Sequence, residues 1–159
     1  WRRELPLETQ EVLARHEVNQ DYNHPDYVAA MDALYRRNFC RVWPWPEPLE
    51  RALAHMAMPV YTTMWGPNEF TCTGNLLDWD RTDRLGEIAV PTLITVGEFD
   101  EVHPSCARTL HAGIPGSVLE IFPGCGHAVH LEDHEHYRGV LLSFLQHVDA
   151  ATGIRSATA

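Results

Sequence analysis

Apolar residues recur along this chain at two different spacings, and the change between them divides it. In the first half the spacing is helical. Leu7, Val12, Leu13 and Val18 stand among acidic residues and Arg15, a pattern that predicts an amphipathic helix over 7–18. His24-Pro25-Asp26 predicts the start of a second helix, because a first-turn proline lacks only an N–H that has no helical partner there. Val28, Met31, Leu34 and Tyr35 continue it at helical spacing. The stretch Val42-Trp43-Pro44-Trp45-Pro46-Glu47-Pro48 is excluded from any helix interior, since each proline removes a donor and collides with the preceding turn. A third helix is expected from Pro48 through Leu49, Leu53 and Met56. Residues 61–74, aromatic and punctuated by glycine, read as an irregular segment of the kind that lines pockets.

Beyond about residue 75 helix and strand alternate. Leu76 to Arg84 reads as a short helix or turn. Ile88 to Val90 leads into Pro91-Thr-Leu-Ile-Thr-Val-Gly97, a β-branched apolar run that predicts a buried strand. A helix over 104–112 follows, then a second strand over 117–122 closed by Pro123-Gly124. The last helix is expected over 132–148, with Tyr137, Val140, Leu141, Phe144, Leu145 and Val148 on one face. The small polar end from Asp149 is expected to fray. Two strands joined through a helix imply a parallel pair with a crossover. Such a pair is not a stable sheet by itself, so further strands are expected upstream of Trp1 or in another chain.

Composition narrows the chemistry. The 159 residues are 45% apolar and carry a formal charge of −10, which disfavours nucleic acid and anionic membranes as partners. No run approaches the ~18 apolar residues of a membrane helix, and no leader is evident. All twelve basic residues are arginine. Phosphate-binding and Schiff-base lysines are thereby excluded. Cys40, Cys72, Cys106 and Cys125 are scattered without a CxxC pair, which argues for reduced thiols in a cytoplasm. The chain opens on Trp1, as a fragment or processed product would.

Two loops carry the candidate chemistry, each directly after a predicted strand, where open α/β sheets bind ligands. One is Gly97-Glu-Phe-Asp100-Glu-Val-His-Pro104 and the other Pro123-Gly-Cys-Gly-His127-Ala-Val-His130. An acid and a histidine thus leave the same sheet edge, as needed for a carboxylate to orient an imidazole and stabilise its charged form. His127, His130 and His134 with Glu132 could suggest a metal, but the spacing is not HExxH and no further ligand is evident, so no metal and no cofactor are expected. His103 and His130 are read as solvent-facing. Cys125 is read as a small packing residue rather than a nucleophile.

The order strand, Gly-x-x-Asp, helix, strand, Gly-x-Gly-His, helix resembles the C-terminal third of α/β-hydrolases, whose triad runs Ser, Asp, His. The resemblance implies Asp100 as triad acid and His127 as base. Trp65-Gly-Pro-Asn-Glu-Phe70, Thr73-Gly74, Asp78-Trp79-Asp80 and Pro91 to Glu101 are similar to proline iminopeptidases of the tricorn-interacting aminopeptidase type. That resemblance implies an α/β fold in which residues 1–75 form a partial helical cap and substrate-lining segment. Residues 76–149 would then hold the last two parallel strands and their helices, with the upstream strands missing, and 150–159 a flexible tail. It further implies that Glu69 and Glu101 grip the free amino terminus of a small peptide and that Tyr61 contacts it. Trp65 and Phe70 would either wall a proline ring or pack the cap. Paired carboxylates suit that task, because charge-assisted hydrogen bonds separate an ammonium from a mid-chain amide.

The Gly-x-Ser-x-Gly elbow and an HGG-type oxyanion loop are not found in these 159 residues. The resemblance places both upstream, so the chain by itself is expected to be inactive and to need the missing N-terminal part of the hydrolase. A serine aminopeptidase releasing N-terminal proline, or another small apolar residue, is the leading reading. Another capped hydrolase (esterase, epoxide hydrolase or dehalogenase) and a non-catalytic truncated remnant remain open alternatives.

Overall fold

The computed structural model of the chain describes residues 1–152. It divides into two compact units, Trp1–Asp80 and the residues from Arg81 onward.

The first unit is helical. Helix α1 (Leu7–Val18) and helix α2 (Pro25–Leu34) begin and end close to where hydrophobic spacing places them. Pro25 occupies the first turn of α2, and the His24 imidazole caps it by accepting the Asp26 N–H at 3.2 Å. The last turn of α2 widens into a π-turn over Tyr35–Phe39 and stops at Cys40, whose backbone is extended. Helix α3 (Glu47–Ala54) starts after Pro46 and ends before Met56. Leu5, Leu13, Tyr27, Ala30, Met31 and Leu34 form the core, with Phe70 and Tyr35 packed on it.

One expectation fails here. The stretch from Tyr61 is not irregular at its start, because helix α4 (Met58–Met64) runs through it. Pro59 seeds the first turn. The Thr62 and Thr63 hydroxyls bond back to the carbonyls of Met58 and Pro59, the latter at 2.8 Å, so their polarity is satisfied inside the helix. Only 65–74 is non-helical, and it is a compact turn. Thr73 and Gly74 donate their N–H groups to the Trp65 carbonyl at 2.8 and 2.6 Å, and Asn68 bridges to Thr71.

In the second unit a 3₁₀ turn (Thr82–Glu87) leads to β1 (Leu93–Gly97), α5 (Pro104–Gly113), β2 (Val118–Phe122), α6 (Val129–Glu132) and α7 (His134–Thr152). The strands pair in parallel from Leu93 with Val118 to Gly97 with Phe122, and α5 makes the crossover. His103, expected at the surface, is exposed and caps α5, its Nδ1 accepting the Ser105 N–H at 3.1 Å. Phe122, Cys125 and Val129 form the core with Tyr137 and Val140 against them.

Four details differ from the reading of the sequence. β1 is buried only at Val96 and Gly97, because two described strands cover little of each other's faces. The last helix is two helices: Asp133 leaves helical geometry and its carboxylate accepts the His136 N–H at 3.4 Å, capping α7. α7 also continues to Thr152, so 150–152 are helical, while the rest of the expected tail lies outside the described residues. Leu145, placed by periodicity on the covered face of α7, is 46% exposed. Among the described residues no helix is long and apolar enough to cross a membrane.

Candidate active site

The geometry at the carboxyl ends of β1 and β2 begins with a glycine. A Cβ on Gly97 would stand 2.5 Å from the Cys125 carbonyl oxygen and would overlap that of Gly126. Only a residue without a side chain lets the strand end approach the 123–127 loop so closely. The two loops are then joined by main-chain bonds. Glu98 N–H donates to the Phe122 carbonyl at 2.9 Å and Phe99 N–H to that of Cys125 at 2.8 Å.

Within that frame Asp100 and His127 come together. Asp100 is 4% exposed. Its Oδ1 accepts the Val102 N–H at 2.8 Å and lies 2.9 Å from His127 Nδ1, while Oδ2 accepts the Gly97 N–H at 3.4 Å. An ionised carboxylate only accepts, so Nδ1 carries the proton and Nε2 of the neutral ring keeps its lone pair. The imidazole is 46% exposed against 5% for the Asp100 side chain. A buried, hydrogen-bonded acid thus holds one edge of a ring whose other edge is open to chemistry.

Two further carboxylates fix the histidine loop, a role that sequence reasoning missed. Glu132 accepts the Gly126 N–H on both oxygens, at 3.0 and 3.1 Å. Glu98 accepts the Gly124 N–H at 2.8 Å, and Gly124 adopts φ of +73°, a left-handed backbone suited to glycine. In the sequence Glu132 reads only as a possible metal ligand beside His130 and His134. The usable signal was its place one helical turn into α6, facing back on the loop. Cys125 is 5% exposed and packs with Phe122 and Val129.

The other candidates divide between the two units. Glu101 lies half-buried directly after Asp100 in the second. Glu69 and Tyr61 belong to the first, where both line a cavity of ≈ 190 Å³ with Tyr35, Phe39, Trp45 and Met56. Trp65 and Phe70 are otherwise engaged: the Trp65 indole N–H donates to the Glu69 carbonyl at 3.1 Å, and Phe70 packs edge-on to Tyr35 and onto the helical core.

A polar network behind Glu69 holds its turn in place. Asn68, buried, donates to the Tyr27 hydroxyl at 2.8 Å and accepts the Phe70 N–H at 3.0 Å. Tyr27 and Thr71 both donate to Glu17, at 3.3 and 3.1 Å, and Arg2 pairs with the same carboxylate through both terminal nitrogens. Burial by itself would raise the Glu17 carboxyl, yet the Arg2 bonds and charge, with Thr71 and Tyr27, outweigh it and hold Glu17 below the usual carboxylate range.

No family model matches the chain. It is 41% identical over 144 residues to a proline iminopeptidase of Thermoplasma volcanium, covering 90% of this chain and 49% of that protein. A proline iminopeptidase of Saccharolobus solfataricus is 38% identical, with 91% and 47% covered. Among solved structures, a Mycobacterium smegmatis proline iminopeptidase superposes with a TM-score of 0.86 at 42% identity, over 95% of this chain and 51% of that one. VinJ superposes at 0.87 with 36% identity, over 92% and 50%. The chain spans about half the length of the curated relatives it matches. With its parallel strand pair and crossover helix, it is a C-terminal portion of an α/β-hydrolase, similar over nine-tenths of its residues to proline iminopeptidases.

Proposed function

We propose that this chain supplies the acid and base of a serine aminopeptidase that releases N-terminal proline, or another small apolar residue, from short peptides. The observation that carries the proposal is the 2.9 Å bond between His127 Nδ1 and Asp100 Oδ1 at the carboxyl edge of the parallel strands. The nucleophile would be a serine from the part of the hydrolase that these residues do not span.

In this mechanism the serine attacks the prolyl carbonyl while His127 Nε2 takes its proton. Asp100 keeps the proton on Nδ1 and stabilises the imidazolium. His127 then protonates the departing amine, and a water activated by the same ring releases the acyl group. Glu69, Glu101 and Tyr61 are assigned to the free amino terminus, the two carboxylates accepting from its ammonium. The ≈ 190 Å³ cavity beside Glu69 and Tyr61 is below the usual ~300–1,000 Å³ of ligand pockets, which favours a single small side chain. The helical unit acts as the cap and the parallel unit as part of the catalytic core. Four free thiols support a reducing cytoplasm as its compartment.

The test uses the hydrolase with its upstream half present. Asp100→Asn should lower kcat on a prolyl chromogenic amide by about 10⁴-fold through the wrong tautomer. Glu69→Gln and Glu101→Gln should abolish selectivity for a free amine yet leave cleavage of a simple aryl ester nearly unchanged. Equal losses on both substrates would assign the two acids to the scaffold and sink the aminopeptidase reading. The 159 residues alone should hydrolyse neither substrate.

A further inference from the structure

Away from the acid–base pair, one cluster in the helical unit has the composition of a metal site. His16 on α1, His24 at the cap of α2 and Asp26 in its first turn each present a ligand atom, all within 4.8 Å of one another. We infer that these three side chains form a zinc-class site that staples α1 to the start of α2.

The surroundings of His16 support this independently of the cluster. Its ring is buried, 8% exposed, and its Nδ1 lies 3.4 Å from Asp21 Oδ2. The carboxylate fixes the proton on Nδ1 and leaves the Nε2 lone pair as the donor, the arrangement by which an outer carboxylate orients a metal-bound histidine. The position between the ligands already attracts a cation. Arg15 Nη2 lies 3.4 Å from His16 Nε2 and 3.9 Å from Asp26 Oδ2. Its side chain is 59% exposed and held only by these two long contacts, so displacing it from the site costs little. The His24 ring is stacked on His16 with centroids 4.2 Å apart, and its Nδ1 is 3.8 Å from Asp26 Oδ2.

Two imidazoles and one carboxylate suit zinc, with water in the fourth position, and are a poor match for magnesium or calcium, which prefer oxygen ligands. Tetrahedral bonds of ~2.0–2.1 Å put ligand atoms about 3.3 Å apart. The present span closes to that by rotation of His24 and Asp26, whose side chains are 41% and 60% exposed. His24 Nδ1 now accepts the Asp26 N–H, so binding through that atom would exchange the cap bond for a metal bond.

The test titrates the metal-stripped hydrolase, with its upstream half present, with zinc chloride by calorimetry, with magnesium chloride as control and cobalt(II) absorption as a report of geometry. One zinc per chain in the micromolar range is expected, with no heat from magnesium and a cobalt spectrum of low coordination number. Asp21→Asn should weaken binding by about tenfold through the freed His16 ring. His24→Ala and Asp26→Asn should each weaken it further. Because His16 is buried and its loss can unfold the hairpin, Arg15→Ala is the decisive variant: removal of the resident cation should tighten zinc binding. The inference is overturned by no saturable binding below millimolar zinc, or by binding that the His24 and Asp26 variants leave unchanged, which would put the ion on the exposed histidines of α6 and α7.

Discussion

Gly97→Ala is the sharpest test of how the acid–base pair is positioned. The added methyl would stand 2.5 Å from the Cys125 carbonyl oxygen and 2.8 Å from its carbon, and both are backbone atoms that no rotamer change can move aside. Restoring an ordinary separation of 3.4 Å from the Cys125 oxygen requires the 123–127 loop to retreat by at least about 0.9 Å, and the closer Gly126 carbonyl oxygen requires more. A retreat of about 0.9 Å directed along the 2.9 Å bond between His127 and Asp100 would stretch it to about 3.8 Å, beyond a hydrogen bond. Backbone displacement of this kind costs about 2–4 kcal/mol, or about 5–15 °C in melting temperature for a chain of this size. Thermal unfolding followed by circular dichroism reads the first effect, and the proton resonance of the His127 Nδ1–H reads the second. Gly139→Ala in α7 is the matched control. Nothing lies within 4 Å of a Cβ there, so it should instead stabilise by about 0.5–1 kcal/mol. If Gly97→Ala melts with the wild type and keeps the imidazole proton in place, the close approach does not position the pair.

Two other outcomes follow from carboxylates. Glu132→Ala should leave the Gly126 N–H without its acceptor and destabilise the chain by about 1–3 kcal/mol, whereas Glu132→Gln, which retains an acceptor oxygen, should cost much less in the same melt. The lowered Glu17 carboxyl makes stability pH-dependent with a definite sign. Its contribution is complete above the unfolded carboxylate value of about 4.3 and disappears as pH falls through the lower folded value. Urea titrations across that range should show the loss, and Glu17→Gln should remove that share of the slope.

How much of this was legible in the sequence depends on the range of the interactions involved. Helix starts at Leu7 and Pro25, the strand ending at Gly97 and its parallel partner ending at Phe122 are local matters of periodicity and proline chemistry, so they could be read directly. Asp100 and His127 could be placed on one edge because parallel strands deliver their following loops to the same side. The helix over 58–64 was hidden because threonine and proline favour irregular structure until hydroxyls bond back to the preceding turn. The exposure of Leu145 was hidden because periodicity assigns a face without saying what covers it.

The sequence by itself determined the order of elements, the absence of lysine chemistry and the presence of an acid and a histidine in successive loops after strands. Only the tertiary structure decided that Gly97 is a spacer between those loops and that Glu132 and Glu98 tether the histidine loop. It also decided that Asn68 and Thr71 anchor the turn carrying Glu69 to Glu17 and Tyr27. These are contacts between residues far apart in the chain or across a turn, whose partners are chosen by the path of the backbone. Periodicity records which side of an element is apolar; it holds no record of which amide a carboxylate will meet.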